Sequence, residues 1–366
     1  MKKAGILTHY YNSTNYGGVL QAYALCRRLR EAGVDAEQVC YDPTAVKRSA
    51  VKKVLHAGKK CMLSLKRGVH VRASRMIGTR KKAFEDFRNA VPHSSTVYTE
   101  ATLDRANDVY DAFITGSDQV WHPGLFKRGY SLSFSKKPKY SYAASMAVER
   151  IDAEVKKKYE RALLDYSAIS VRERNAMSML DFRNDVKLIL DPVFLYSGKE
   201  WAKLSGKRIV EEKYVFTYFL GDSASARAQA REFAARKGLK LVNVPYLLNS
   251  YRKCDRSFGD VRISDVSPED FLSLILNAEY VLTDSFHVIC FSFLFKKNFY
   301  VFRRNSANNM NSRISDVLYT LGLEDRYVEK IGDEKDIDYD KPNAAFEELK
   351  AQTERFFEEM VESINK

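Results

Sequence analysis

Short apolar runs alternate with stretches of helical apolar spacing along most of the chain. Ala4-Gly5-Ile6-Leu7-Thr8 reads as an opening strand. Val19 to Leu29 has helical spacing through Leu20, Ala24 and Leu25, Gly33 closes that helix, and Ala36 to Tyr41 is a second short strand. Strand, helix and strand in so short a span make a βαβ unit. Val51 to Phe87 reads as mainly helical, interrupted at Gly58, Gly68 and Gly78. Further strands are expected at Ala112 to Thr115, Tyr140 to Ala144, Ala168 to Val171 and Val186 to Leu190, the last stopped by Asp191-Pro192, with a charged helix around Glu154 to Leu164. The pattern weakens near Ser197 to Lys213 and then restarts. Strands follow at Tyr214 to Phe219, Leu239 to Val244, Tyr280 to Thr283 and Phe299 to Phe302, and helices at Ser223 to Arg236 and Phe271 to Leu276. Ser267-Pro268-Glu269-Asp270 predicts a capping box, with Pro268 in the first helical position. Asn343 to Ile364 is a long acidic amphipathic helix. Repeated strands with intervening helices predict an α/β fold of parallel sheets covered on both faces.

The length, 366 residues, favours two domains. The expected division is 1–200, carrying a basic helical insertion at about 47–90, then 201–340, then a helix at 341–366 that packs back across the junction. Five scattered cysteines, Cys26, Cys40, Cys61, Cys254 and Cys290, lack paired metal-ligand spacing and point to buried thiols in a reducing compartment. The opening residues lack an apolar signal segment, and no apolar stretch is long enough to span a bilayer, so a cytoplasmic protein is expected.

Charge changes the picture at one place. From Lys47 to Arg88 there are fourteen Lys and Arg against Glu85 and Asp86, which places +12 of the formal +13 in that segment. It reads either as a solvated helical surface or as a patch for an anionic membrane face or a phosphorylated acceptor. No nucleic-acid-binding motif accompanies it.

Parallel α/β sheets bind ligands at the carboxyl ends of their strands, and five clusters fall there. In Asn15-Tyr16-Gly17-Gly18 the glycines permit close backbone approach to an anion, with Gln21 just inside the helix; a plain tight turn is the alternative. In Gly116-Ser117-Asp118-Gln119-Val120-Trp121, Asp118 and Gln119 offer hydrogen bonds to sugar hydroxyls and Trp121 a flat apolar face, although caps and turns use the same residues. Arg172, directly after a strand, is placed to clamp a carboxylate or phosphate; a surface pair with Glu173 is the alternative. Asp284, Ser285 and His287 open a helix, Val288 to Phe295, that is almost wholly apolar and therefore buried, so a near-neutral His287 is placed to donate or relay a proton. Arg303 and Arg304, with Asn311, Ser312 and Arg313, are positioned to close an anion pocket or to lie on the surface.

These clusters, in this order, resemble the polysaccharide pyruvyl transferase family. The matching pieces are Asn15-Tyr16-Gly17-Gly18-Val19-Leu20-Gln21, Gly116-Ser117-Asp118-Gln119-Val120-Trp121, Val171-Arg172-Glu173 and Thr283-Asp284-Ser285-Phe286-His287, with a tail from Asn311-Ser312-Arg313 to Gly322-Leu323-Glu324-Asp325-Arg326. The resemblance implies a glycosyltransferase-B-like pair of Rossmann-like domains around a cleft, and transfer of pyruvate from phosphoenolpyruvate to paired sugar hydroxyls as a cyclic ketal. It implies His287 and Asp118 as catalytic groups. Arg172, Arg313, Arg303, Arg304, Ser285, Gly17 and Gly18 are expected to bind the donor. Asn15, Tyr16, Gln21, Gln119, Trp121 and Asp284 are expected to bind a glycan or lipid-linked sugar acceptor. Many members carry Arg where this chain has Ser285, so either Arg303, Arg304 or Arg313 supplies the missing charge or this branch uses an altered donor or acceptor. The chemistry demands no cofactor or metal. A nucleotide-sugar-dependent glycosyltransferase and a non-catalytic glycan- or anion-binding protein are the competing readings.

Overall fold

The structure, a computed structural model, describes residues 1–45, 71–248, 251–304, 311–332, 334–341 and 343–366. Most of the basic segment expected to meet a membrane, 46–70, lies outside the described residues, as does Cys61.

Two parallel sheets form the framework. The first runs Asp35–Gln38, Lys3–Leu7, Ala112–Thr115, Lys139–Ser141, all parallel. Bridges from Tyr140 to Ala168 and from Ala144 to Val171 continue it to the pair Ser170–Val171 and Lys187–Leu188. These two strands are shorter than the apolar runs predict. Here side chains replace ladder bonds: the Ser141 hydroxyl donates to Ser170 O at 2.9 Å, and that of Ser170 to Ser141 O at 2.8 Å. The second sheet runs Val261–Arg262, Lys240–Asn243, Tyr214–Tyr218, Tyr280–Thr283, Asn298–Phe302, Tyr327–Val328, again all parallel.

In both sheets the chain order reverses beside the first strand. In the first sheet this happens between Lys3–Leu7 and Ala112–Thr115, and in the second between Tyr214–Tyr218 and Tyr280–Thr283. Such a reversal opens a crevice beyond the carboxyl ends of the two strands. The segments emerging there are Thr8-His9 and Gly116-Ser117-Asp118 from one sheet, and Phe219 to Gly221 and Asp284-Ser285 from the other. The topology therefore fixes where ligand chemistry can gather.

The helix Phe286–Leu294 is apolar on all sides and is buried from Phe286 to Ser292, as its composition requires. The helix Pro268–Leu276 starts with the predicted capping box, Ser267 accepting from Asp270 N at 3.1 Å while Asp270 reaches back to Ser267 N. The final helix, Ala344–Asn365, returns to the first sheet: Thr353 Oγ1 accepts from Leu190 N at 2.9 Å, and Gln352 Nε2 donates to Leu188 O at 2.7 Å. Among the described residues no helix is long and apolar enough to cross a membrane.

The helix Val71–Ala90 corrects the surface reading for Arg80 alone, since Lys81 and Lys82 are exposed as that reading expects. It passes uninterrupted through Gly78 and buries Phe84 and Phe87. Arg80, only 1 % exposed, donates from Nε to Ser264 O at 2.9 Å and from Nη1 to Pro245 O at 3.0 Å, with its guanidinium carbon 5.3 Å from the centre of the Tyr16 ring. Arg88 donates to Ser13 O at 2.6 Å. Both cations hold backbone carbonyls, and Arg80 does so out of solvent.

A candidate active site at the seam of the two sheets

The ring of His287 sits against Gly17. A Cβ at Gly17 would fall inside the van der Waals radius of Nδ1 and Cγ of that imidazole. Glycine is required because a ring from the other half of the protein occupies the place of its side chain. The close approach expected of this glycine is thus made to His287, not to an anion. Gly18 does not offer a free amide either, since its N–H is capped by Asn15 Oδ1 at 3.4 Å. Gly17→Ala should destabilise the fold by about 1–3 kcal/mol through overpacking. In a double-mutant cycle with His287→Ala, urea unfolding should show that cost largely relieved; strict additivity would place the ring elsewhere.

Across from Gly17, the loop after Ala112–Thr115 is held by two unusual backbone positions. Gly116 has φ 107, and a side chain there would run into Tyr142 O. Asp118 has φ 65, a left-handed conformation that Asp tolerates better than most residues. The result turns the Asp118 carboxylate toward Arg172, with Oδ1 3.4 Å from Nη2.

Arg172 is the hub. Its Nη1 donates to Asp191 Oδ2 at 2.5 Å and its Nη2 to Asp118; its guanidinium carbon lies 4.3 Å from the centre of the Phe286 ring, and its side chain is 1 % exposed. The anion expected at Arg172 is met in this structure by the protein's own carboxylates. Both terminal nitrogens hold protein carboxylates, and only Nε lacks a hydrogen-bond partner among the described residues. Glu173 is equally buried, accepting from Ala147 N at 3.1 Å and from the Ser145 hydroxyl, so the surface-pair alternative is excluded.

Asp191 was read from the sequence only as the end of a strand. It caps the turn Pro192–Leu195 by accepting from Val193 N, while Oδ2 lies 2.9 Å from the Ser117 hydroxyl and 3.8 Å from His287 Nε2. His9 was missed altogether. It packs edge-on to Tyr130 at 4.6 Å, with a buried Nε2 that has no hydrogen-bond partner among the described residues. Its signal was weak because a single histidine after a strand has no local pattern around it.

The remaining predicted residues divide sharply. Arg313 is buried at the start of the helix Ser312–Leu321 and meets Gln119, whose amide oxygen, turned toward it, accepts from both terminal nitrogens, at 3.1 Å from Nη2. Its Nε has no partner among the described residues. Arg304 is buried, donating to Asp284 O at 2.6 Å with its Nε 3.6 Å from Asp284 Oδ2, whereas Arg303 is exposed. Ser285 caps the helix position without a side-chain bond. Asp284 accepts from Leu220 N and Gly221 N, both at 2.6 Å, and so pins a loop of its own sheet.

Three residues expected to bind an acceptor are core instead. The Trp121 ring is fully buried and its Nε1–H donates to Tyr130 O at 3.1 Å, so it has no open face for a sugar. Tyr16 stacks on Phe271 at 3.9 Å and donates to Val266 O at 2.9 Å. Gln21 is fully buried between Ser117 N and Thr8 Oγ1. Asn15 is spent on its helix cap, and Asp284 on its loop, so neither serves an acceptor in this arrangement.

Electrostatics at the seam follow from burial. Burial pushes the His287 imidazole down to about 4; Asp191 and Asp118 pull it up, Arg172 and Arg313 push it further down. The ring is neutral at pH 7. Burial would raise the Asp118 carboxyl, but the charge of Arg172 first, then those of protonated His287, His9 and Arg313, hold it at about 2. Asp118 is thus a poor proton acceptor and a firm anion. Burial, with Arg304 and Arg172 adding repulsion, brings Arg313 down to about 10. It stays charged at pH 7, and no carboxylate lies within ion-pair distance of it among the described residues.

The depressed imidazole has a stability consequence. An unfolded histidine takes up a proton near its ordinary 6.5, the folded one only near 4, so between these values the unfolded state binds more protons. Stability therefore falls as the solution is acidified through that window, and His287 alone contributes about 2 kcal/mol of the loss from pH 7 to pH 5. In His287→Gln the difference between urea unfolding free energies at pH 7 and pH 5 should shrink by that amount. An unchanged difference would show a ring open to water.

The comparisons agree with this geometry. A family model described as polysaccharide pyruvyl transferase matches residues 15–306. The UDP-N-acetylglucosamine 2-epimerase of Rickettsia bellii is similar in structure, with a TM-score of 0.53 at 8% identity over 100% of this chain and 97% of that one. The UDP-GlcNAc 2-epimerase of Neisseria meningitidis, solved bound to UDP-GlcNAc, gives 0.50 at 11% identity over 99% of this chain and 100% of that one. Identities this low speak to fold alone: two Rossmann-like sheets in a glycosyltransferase-B-like arrangement. No curated protein matches the sequence.

Proposed function

The chain belongs to the polysaccharide pyruvyl transferase family, and on that premise we propose that its seam transfers pyruvate from phosphoenolpyruvate to two hydroxyls of a sugar. The observation that carries the reading is Arg313, a buried guanidinium without a carboxylate partner among the described residues, in the same electrostatic neighbourhood as a neutral buried imidazole. A small donor with a carboxylate and a phosphate supplies the anion that Arg313 lacks. Arg313 also supplies the charge that many relatives place at the position of Ser285.

The chemistry proceeds in balanced steps. Bound donor anions raise the proton affinity of His287, which then carries a proton to the methylene carbon of phosphoenolpyruvate and makes it a methyl group. The adjacent carbon becomes oxocarbenium-like and is attacked by one sugar hydroxyl. The C–O bond to phosphate breaks, phosphate leaves, and the second hydroxyl closes the ketal. Two hydroxyl protons are released, one replacing that given to carbon and one leaving with phosphate. Asp118, held at about 2, orients a hydroxyl by accepting its hydrogen bond and is too weak a base to remove the proton outright. Arg172 keeps Asp118 and Asp191 in place.

The test is incubation with carbon-13-labelled phosphoenolpyruvate and a panel of glycans, followed by mass spectrometry. A labelled ketal on a glycan with matching phosphate release is expected. Release of a nucleoside diphosphate from a sugar nucleotide, without any ketal, would replace this reading with that of a glycosyltransferase.

A further inference from the structure

With Tyr16, Gln21, Trp121 and Asp284 engaged in structural contacts, little remains to hold the rest of the acceptor ring, and a second place at the seam offers a surface for it. A cleft of about 680 Å³ lies between the two halves. Asn175 and Arg174 line it from the first half, Ser312, Ser315, Asp316 and Tyr319 from the second. Its size falls within the range of small-molecule sites. It borders the candidate active site along two chain segments: Arg174 follows Arg172 by two residues, and Ser312 is adjacent to Arg313 in the first turn of the same helix.

Tyr319 is the feature without a structural explanation. It is 56% exposed, one of the most exposed large side chains of the described protein, although it sits on a helix whose other apolar residues are buried. The guanidinium carbon of Arg174 lies 4.5 Å from its ring centre, which fixes the ring from one side. Arg174 is itself locked by Asp316, donating from its backbone N at 2.6 Å and from Nη1 at 2.7 Å. The aromatic platform is thus held rigid before any ligand arrives. Beside it, the Ser312 hydroxyl is buried with no hydrogen-bond partner among the described residues, which leaves it able to bond a ligand group.

We propose that this cleft is the acceptor subsite and that it takes an uncharged sugar ring, its C–H face on Tyr319 and its hydroxyls toward Ser312 and Asn175. The inference rests on the pyruvyl-transfer reading for its role, but the binding site stands apart from it. The single cation among the described lining residues, Arg174, is already neutralised by Asp316, and Glu149 and Glu324 also line the cleft, so a phosphorylated or uronic ring is disfavoured there.

Saturation-transfer NMR on the full chain tests it, with methyl β-D-galactopyranoside, methyl β-D-glucopyranoside and methyl β-D-glucuronide as probes. Saturation of ring C–H protons is expected for at least one neutral sugar and not for the glucuronide. The affinity for that sugar should fall about tenfold in Tyr319→Ala, the loss of one aromatic contact, and be kept in Tyr319→Phe. Binding of phosphoenolpyruvate, followed by thermal shift, should be the same in wild type and Tyr319→Ala. No saturation of either neutral sugar, or undiminished binding in Tyr319→Ala, overturns the subsite. Sugar binding that depends on Tyr319 in a protein that binds no phosphoenolpyruvate would keep the subsite and remove the donor reading.

Discussion

Replacing His287 with Gln is expected to lower turnover by roughly 10²–10⁴-fold, the usual worth of a positioned proton donor, while the protein stays folded. The ring is well placed for the role because three features fix it. Gly17 leaves room for it, its helix is buried from Phe286 to Ser292, and Asp191 lies 3.8 Å from its Nε2. Gln keeps similar bulk at a site that is 7 % exposed, so the loss should come from chemistry and not from a cavity. Initial rates at saturating donor, with a thermal melt as control for folding, separate the two. Turnover within a few-fold of wild type in a folded variant removes His287 from the reaction.

Arg172→Met should have the largest effect on stability, about 3–5 kcal/mol, because it strands charges that are already out of water. Asp191 is fully buried at its side chain and Asp118 nearly so; each now faces Arg172. Removing the cation leaves two buried carboxylates without their shared ion-pair partner, and Arg313, which also acts on Asp118, does not replace it at Asp191. Arg313→Gln should behave in the opposite way. Its guanidinium is held down by burial and by two other arginines, so its loss relieves repulsion and stability holds or rises, while donor binding is lost. Urea unfolding of the two variants side by side is the check. Equal costs would mean that Arg313 has an internal anion and that the division of labour among the arginines is wrong.

Much of the fold could be read from local pattern. The capping box at Ser267, the buried helix after Ser285 and the strand–helix–strand opening are each written in a few adjacent residues, and local chemistry decides them. The identity of the seam segments was legible too, since Gly116 to Gln119, Arg172 and His287 all stand at strand ends. What local pattern could not supply was direction. Tyr16 and Trp121 look alike in sequence to aromatic ligand platforms, and only the packing of Phe271 and Tyr130 against them shows that they are core. Tyr319 reads as an ordinary helix residue, yet it is the aromatic ring left in the open. Arg80 was hidden in a run of fourteen basic residues, where charge density says nothing about which one is drawn inside. Asp191 and His9 escaped notice because a single polar residue gains meaning only from partners far away in sequence.

Calorimetric titration of phosphoenolpyruvate at pH 7, repeated in two buffers of different ionisation enthalpy, reports proton uptake on binding. Donor anions brought to Arg313 should draw a proton onto the imidazole, so wild type should take up more protons than His287→Gln, and Arg313→Gln should bind little donor. Binding with the same proton count in wild type and His287→Gln, or undiminished binding by Arg313→Gln, would contradict a seam in which a guanidinium without a carboxylate partner gathers the donor and a neutral histidine answers its charge.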